Sequence, residues 1–324
     1  MNRRRWVCFE SAFGPLCLGS LAGMGLLVVV LGRMGPAVTR DKDPMVRQIR
    51  LALEQHGDGV VAGIWVGSEA NQADYSLGGR QIHPAASAIK TAFLIELYAK
   101  YAQDLDQIPS GLDQILVDKH PAISHFTELQ RREIRRHLST ATARSIGRIM
   151  MGSEAATNIV YNAAANVTTA LLGGPESLTN AIHARSPDFT DIVVRRYMLA
   201  SRNVRGDNTA SPAALAAVLH QIAMRQLERI DAATLDAIID AILASEKRYG
   251  LAGEHHFKDG ALDSIPLTRV QSGWWLPPEV SKPIVYVVMV EQPSYGGRQP
   301  SEAATRISQL SQSLTQIVLS SDSH

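Results

Sequence analysis

The sequence has few cysteines, no excess of charge and no phosphate-binding glycine motif. Its two cysteines, Cys8 and Cys17, both lie near the amino terminus, so the rest of the chain has neither a disulfide framework nor a thiolate metal site. The 32 Lys and Arg residues against 31 Asp and Glu residues leave a formal net charge of +1, which excludes nucleic acid as a general electrostatic partner. Because no Gly-rich phosphate loop or Rossmann fingerprint is present, we expect no cofactor.

The adjacent histidines His255 and His256 are the only hint of a metal site. Consecutive residues of a strand point to opposite faces of a sheet. No cluster of carboxylates or thiolates accompanies them in the sequence. We therefore expect no metal ion.

The first 40 residues differ in composition from the rest of the chain. Arg3, Arg4 and Arg5 precede an uncharged run of 22 residues at 11–32, long enough to cross a bilayer as a helix. A cleaved signal peptide has a shorter apolar stretch and a better cleavage site than this one. We predict an anchor and linker over 1–40, with a cytoplasmic amino terminus, and one domain over 41–324 on the periplasmic or extracellular side of the membrane.

Hydrophobic periodicity predicts an order of helices and strands for this domain. Because strand groups lie at both ends of it, we predict an α/β (α+β) fold. Its five-stranded antiparallel sheet has the N- and C-terminal helices on one face and an all-α lobe on the other, and a site is expected in the cleft between sheet and lobe. The predicted elements are a helix over Pro44–His56, strands over Val60–Val66 and Asp74–Leu77, helices as far as about residue 245, strands around Phe257, over 270–276 and over 284–290, and a final helix capped by Ser301.

Ser87 and Lys90 form a candidate catalytic pair. They lie three residues apart at the start of a predicted helix over 87–101, so their side chains share one face of it. The positive helix terminus and a second cation nearby favour a neutral amine, which can act as the base for the Ser87 hydroxyl. The alternative is a capping serine beside a solvated lysine, since Ser-x-x-Lys is a common pattern.

Two later segments extend the pattern. Lys258-Asp259-Gly260 lies at the end of a predicted strand, and Arg269 lies in the next one. With Ser87-Ala88-Ile89-Lys90, this order resembles the class A β-lactamase and penicillin-binding family of serine acyl-enzymes, over residues 44 to 320. The resemblance implies that Ser87 is the nucleophile and Lys90 its base. It also implies an oxyanion hole formed by the backbone amides of Ser87 and Ala261, beside Gly260, and a substrate-carboxylate ligand in Arg269.

The second family motif, Ser-Asp-Asn, has two candidate positions. Ser153 gives the preceding helix the expected length, and we prefer it as the hydroxyl that shuttles a proton together with Lys258. If the family's spacing is instead counted back from Gly173 without a gap, the motif falls at Val160-Tyr161-Asn162. This segment has the asparagine of the motif but not its serine. Asn162 is in either case a candidate amide ligand for the substrate.

Two departures from the family pattern predict altered chemistry. The segment 195–207 resembles the family's Ω-loop, but it contains no Glu or Asp before Asp207. The family's loop glutamate activates the water that releases the acyl group, so an acyl-enzyme on Ser87 is expected to be long-lived. Asp259 replaces a hydroxyl residue and is expected to repel a substrate carboxylate unless Arg269 neutralises it.

Two functions follow from the sequence. The first is a membrane-anchored serine hydrolase that acts on a small molecule or peptide with a reactive carbonyl, such as a β-lactam, a peptidoglycan-type peptide or an ester. The second is a non-catalytic binding or scaffolding protein of the cell envelope that keeps the same fold. The altered second and third motifs are compatible with either function.

Overall fold

The computed structural model describes residues 43–57, 59–69, 72–278 and 280–320. The predicted membrane segment at 11–32 lies outside these ranges. Within them, no helix combines the length and the apolar character that crossing a bilayer requires. The membrane anchor and the extracytoplasmic location remain predictions from the sequence.

The described residues form helices and short strands in an order close to the predicted one. The helices are α1 (Pro44–His56), α2 (Lys90–Lys100), α3 (Leu112–Ile115), α4 (Glu128–Leu138), α5 (Ala143–Met151), α6 (Asn158–Leu171), α7 (Pro175–Arg185), α8 (Arg202–Arg205), α9 (Pro212–Ala223), α10 (Ala232–Ala241) and α11 (Pro300–Leu319). The strands are β1 (Val61–Gly67), β2 (Tyr75–Leu77), β3 (His83–Pro84), β4 (Thr209–Ala210), β5 (Leu243–Arg248), β6 (Leu251–Phe257), β7 (Gly260–Leu262), β8 (Leu267–Leu276) and β9 (Ile284–Gln292).

The main sheet joins both ends of the domain, as the sequence predicts. Its strand order is β2-β1-β9-β8-β6-β5, with β7 also paired to β8, and every pairing is antiparallel. The predicted number of five strands is wrong, because the sheet has seven. The two missed strands are β5, whose Glu246 and Lys247 are exposed, and the three-residue β7.

Alternating side chains of β9 separate two apolar cores. Tyr286 and Val288 pack with α1 and α11, and Val287 and Met289 pack with the helical lobe. This is the period-2 alternation expected of a strand that is covered on both faces. The terminal helices therefore cover one face of the sheet and the lobe covers the other.

A second, two-stranded ladder fixes the approach to Ser87. β3 pairs with β4, so that Pro84 lies opposite Thr209, and the Ala85 amide donates to the Asn208 carbonyl over 2.9 Å. A 3₁₀ turn over Ala86–Ile89 follows and leads directly into α2. Because every residue from Lys90 to Tyr98 is buried, the start of α2 is held rigidly between sheet and lobe.

Candidate active site

Ser87 lies in the 3₁₀ turn at the sheet edge, partly exposed. The preceding residue, Ala86, has a φ of 47°. A non-glycine residue in this left-handed region costs about 1 to 3 kcal/mol and is found mainly where the surrounding structure enforces it, often at functional sites. The backbone strain therefore falls on the residue next to the candidate nucleophile.

Lys90 is completely buried at the first turn of α2. Its Nζ donates to Asn162 Oδ1 over 3.0 Å and lies 3.2 Å from the centroid of the Tyr161 ring. Burial, assisted by the positive charge of Lys258, holds the pKa of the Lys90 amine well below its usual value. The neutral amine expected from the sequence is therefore favoured, with burial as the main cause.

Tyr161 lies at the centre of the site, on α6, next to Asn162. Burial raises the pKa of its hydroxyl, and interaction with the neighbouring Ser87 side chain partly opposes this change. Its ring lies 4.5 Å from Lys258 Nζ, measured to the ring centroid. Tyr161 thus contacts the serine and both lysines.

Lys258 reaches the same ring from the sheet. Its Nζ donates to the carbonyl oxygen of Met151, the last residue of α5, over 2.7 Å. Burial lowers the pKa of Lys258 to about 7, while the carboxylate of Asp259 opposes the change. The second lysine of the site is therefore close to half-protonated at neutral pH.

Gly260 brings strand β7 against the backbone of Ser87. A Cβ atom at this position would lie 2.7 Å from the Ser87 nitrogen and 2.8 Å from Ala86 Cβ. Only a glycine allows this approach, because the nearest atoms belong to rigid parts of the chain. Ala261 follows on β7, opposite Arg269 on β8.

Asp259 pairs with an arginine that the sequence did not suggest. The Arg248 guanidinium bridges Asp259 Oδ2 and, over 3.0 Å, Gln271 Oε1. The guanidinium also lies 3.7 Å from the centroid of the Phe257 ring. Arg248 is the last residue of β5. Because β5 was not predicted from the sequence, the position of Arg248 beside Asp259 was not predicted either.

Arg269 is directed at the C-terminal helix. Its guanidinium donates to Asp263 Oδ1 and Ser308 Oγ, each over 2.7 Å, and to the Ala304 carbonyl over 3.2 Å. Ser308 and Ala304 belong to α11. The alternative role expected for Arg269, neutralising Asp259, is performed by Arg248.

Ser153 is held by backbone carbonyls. Its hydroxyl lies 2.8 Å from the Ala241 carbonyl oxygen and 3.3 Å from that of Arg148, and it donates to them. The hydroxyl in contact with Ser87 is that of Tyr161. Of the two positions weighed for the second motif, only the one at Tyr161-Asn162 contacts Lys90 in the part of the chain that the structure describes.

The loop over 195–207 is fixed by a buried asparagine. Asn166 Oδ1 accepts from the Met198 amide over 2.5 Å, and Asn166 Nδ2 donates to the Met198 carbonyl over 3.1 Å. Asp207 binds both Arg196 and Arg202. The loop is thus ordered around a methionine, and its one carboxylate is occupied by two arginines.

The adjacent histidines are packed against aromatic rings. His255 stacks on Trp275 and His256 on Trp274, with ring centroids 5.7 and 4.6 Å apart. Among the described residues, no group of three or more His, Cys, Asp or Glu side chains is placed to hold a metal ion.

Comparison with known proteins identifies the family. A sequence profile described as the β-lactamase enzyme family matches residues 44–318. The chain belongs to the β-lactamase enzyme family. This confirms the resemblance to serine acyl-enzymes seen in the motifs. A comparison with curated proteins finds no matching sequence.

Solved β-lactamases share the fold of this β-lactamase-family chain. A variant of the last common ancestor of the class A β-lactamases of Gram-negative bacteria is 18% identical, with a TM-score of 0.60, over 86% of this chain and 98% of that one. A β-lactamase from Burkholderia vietnamiensis is 14% identical, also with a TM-score of 0.60, over 86% and 97%. One from Sphaerobacter thermophilus is 15% identical, with a TM-score of 0.56, over 82% and 94%.

In this family member, the structure brings part of the expected site together. The residues that share contacts at this site are Ser87, Lys90, Asn162, Lys258 and Gly260. Ser153 and Arg269 are bound elsewhere. The sequence analysis gave no role to Tyr161, although Tyr161 is part of the segment selected by counting back from Gly173. Nothing in the sequence pointed to Arg248.

Proposed function

We propose that this protein is a serine acyl-enzyme hydrolase in which Ser87 attacks the reactive carbonyl of a β-lactam, a peptidoglycan-type peptide or an ester. The observation that carries the proposal is the fully buried Lys90 amine, held by Asn162 and the Tyr161 ring close to Ser87. Burial favours the neutral amine, and a neutral amine can accept the proton of the attacking serine.

Acylation follows from this arrangement. The Ser87 oxygen bonds to the carbonyl carbon while its proton passes to Lys90, and the backbone amides of Ser87 and Ala261 donate to the carbonyl oxygen. The bond to the leaving group then breaks, and the leaving atom takes the proton of the Tyr161 hydroxyl. Tyr161 regains a proton from Lys90, which returns the amine to its neutral state. The interaction of Tyr161 with Ser87, and the bond of Ser153 to a backbone carbonyl, favour Tyr161 over Ser153 for this role.

Hydrolysis of the acyl-enzyme is proposed to be slow. The 195–207 loop has Met198 at the point where Asn166 holds its backbone, and a thioether accepts a proton from water very weakly. Asp207 is paired with Arg196 and Arg202, so it is poorly suited to act as a base. The enzyme is therefore proposed to release its acyl group more slowly than it forms the ester.

Covalent labelling tests the assignment. The wild-type protein is incubated with a fluorescent penicillin and with an activated ester, and the Ser87→Ala variant serves as the matched control. We expect an adduct of one acyl group per chain in the wild type, located at Ser87 by peptide mass spectrometry, and none in the variant. Equal labelling of both forms refutes the assignment. Binding of cell-wall fragments without any adduct would support the alternative, a non-catalytic envelope protein.

A further inference from the structure

We propose that Arg202 is a positioning residue, which fixes the spacing between the two backbone amides that bind the carbonyl oxygen of the substrate. The inference rests on the proposed function, since those amides belong to Ser87 and Ala261. The observation behind it is that the Arg202 guanidinium joins the 195–207 loop to the turn that follows β7. Arg202 acts through the backbone on both sides of the site.

One end of this connection leads to Ala261. Arg202 Nη1 donates to the carbonyl oxygen and to the hydroxyl of Ser264, each over 2.7 Å, and Nη2 donates to the Pro266 carbonyl over 3.3 Å. Both acceptor residues lie in the turn between β7 and β8, shortly after Ala261. Among the described strands, β7 pairs with β8 alone, through three residues. The position of such a short strand therefore depends on what holds the turn at its end.

The other end of the connection leads to Ser87. Arg202 Nε and Nη2 donate to Asp207 Oδ2 over 3.0 and 2.5 Å. The carbonyl oxygen of the next residue, Asn208, accepts from the Ala85 amide over 2.9 Å. Ala85 lies two residues before Ser87. Hydrogen bonds and short backbone segments thus form a continuous path from the turn after β7 to the nucleophile.

The guanidinium of Arg202 is well suited to hold a fixed distance. The group is planar and rigid, so partners bonded to its different nitrogens are fixed relative to each other. The side chains of Arg202 and Asp207 are mostly buried, with 17% and 11% exposed. Arg196 also binds Asp207, over 2.8 Å, and donates to the Ala200 carbonyl over 2.9 Å. The carboxylate that anchors Arg202 is therefore itself fixed within the loop.

Two contacts together define the spacing of the amides. Gly260 packs so closely on the Ser87 nitrogen that β7 has no room to come nearer. The bonds of Arg202 to the following turn restrain β7 from moving away. Amide donors stabilise an oxyanion only when they lie about 2.7 to 3.1 Å from the position that it occupies. Loss of the Arg202 bonds is therefore expected to weaken the stabilisation of the oxyanion.

A pair of acyl donors that differ in one atom tests the proposal. 4-Nitrophenyl hippurate is compared with 4-nitrophenyl thionohippurate, in which sulfur replaces the oxygen of the reacting carbonyl. Sulfur accepts hydrogen bonds weakly, so the thiono donor gains less from well-placed amides. The second-order rate constant for acylation is measured from the release of 4-nitrophenolate, with Ser87→Ala as the blank. The ratio of the oxygen to the sulfur rate constant does not depend on how much of a sample is folded, so a merely structural effect leaves it unchanged.

Three variants locate the effect. Arg202→Met keeps the length of the side chain and removes its donors, so the oxygen donor should react about tenfold more slowly and the sulfur donor less than about threefold more slowly. Arg202→Lys keeps the charge but replaces the fork by a single ammonium, and it should lower the ratio as well. Arg205→Met removes the same charge from an exposed position of the same short helix and should leave the ratio unchanged.

The outcomes separate the inference from the proposed function. If the wild type is acylated at Ser87 but the Arg202 variants keep its ratio, or if Arg205→Met lowers the ratio equally, the inference is overturned and the proposed function stands. If neither donor acylates wild-type Ser87, the proposed function fails and the inference fails with it. Arg202→Lys, the milder change, decides the question if Arg202→Met does not fold.

Discussion

The Lys258 ammonium and the Met151 carbonyl meet over 2.7 Å at the carboxyl end of α5. The negative end of a helix stabilises a cation. Burial has the larger effect here, because the pKa of Lys258 is nevertheless lowered to about 7. The folded protein thus holds a lysine that prefers to lose its proton in the neutral pH range.

This lysine should make folding stability depend on pH. The unfolded lysine keeps its proton up to a pKa of about 10.4, whereas the folded one loses it near pH 7. Between these values the unfolded state binds more protons, so stability rises with pH and is lost as the pH falls towards 7. From pH 7 to 9, urea unfolding should show the wild type gaining about 1 kcal/mol per pH unit relative to Lys258→Met. If the unfolding free energies of the two proteins changed equally with pH, the lowered pKa of Lys258 would be contradicted.

Removing the Tyr161 hydroxyl should impair acylation specifically. Tyr161→Phe keeps the ring that packs against Lys90 and Lys258 and removes the hydroxyl that interacts with Ser87. The rate constant for acylation by an activated thioester should fall about 100-fold, as expected for loss of a group that transfers protons. The thermal unfolding midpoint should change little, because the apolar contacts remain.

Ser153→Ala is the control for Tyr161→Phe. Its hydroxyl bonds only backbone carbonyls among the described groups, so its loss should cost about 1 kcal/mol of stability and leave the acylation rate within about threefold of wild type. The opposite pattern, with a strong effect of Ser153→Ala and none of Tyr161→Phe, would return the proton-transfer role to Ser153.

Gly260→Ala should disrupt the site through the backbone. The added Cβ would lie 2.7 Å from the Ser87 nitrogen, so either β7 or the 3₁₀ turn must move. We expect a loss of about 1 to 3 kcal/mol in unfolding free energy and an acylation rate at least about 100-fold lower. Gly111→Ala is the matched control, since Gly111 has a φ of +81° and no atom within 4 Å of the added carbon. It should cost about 1 kcal/mol and leave acylation unchanged.

Slow release of the acyl group should appear as a kinetic burst. With an uncharged chromogenic thioester in excess, rapid release of about one equivalent of thiol per chain should precede a steady state at least about tenfold slower. The reason is the absence of a free carboxylate in the described 195–207 loop, where Met198 is held by Asn166 and Asp207 is paired. Stopped-flow absorbance measures both phases, and linear release from the first turnover would count against a long-lived acyl-enzyme.

The layered architecture was predictable from hydrophobic periodicity. The residues of β9 alternate between two buried faces, and α1 ends at His56 with Gly57 in the left-handed conformation, as the sequence suggests. β5 was not predictable in the same way. Its exposed residues include Glu246 and Lys247, and its hydrogen bonds with β6 rather than its own side chains make it a strand.

Part of the site was predictable from spacing and part of it was not. The three-residue spacing of Ser87 and Lys90 predicts a shared face, but the burial that dominates the lowered pKa of Lys90 depends on the packing of the whole lobe. The expected length of the preceding helix favoured Ser153 over the Tyr161-Asn162 position, yet the Tyr161 side chain is the one that reaches Ser87, from α6. A motif describes residue types along the chain and does not describe how far each side chain extends.

The pairing of β1 with β9 has a consequence for folding. Val61 lies opposite Glu291, so β1 can pair with β9 only after nearly the whole domain has been synthesised. Closing the sheet must therefore overcome the entropy of a very long loop, which contains the whole helical lobe. Premature termination before β9 would leave β1 with an open edge, and such a fragment is expected to aggregate rather than to form a smaller stable domain.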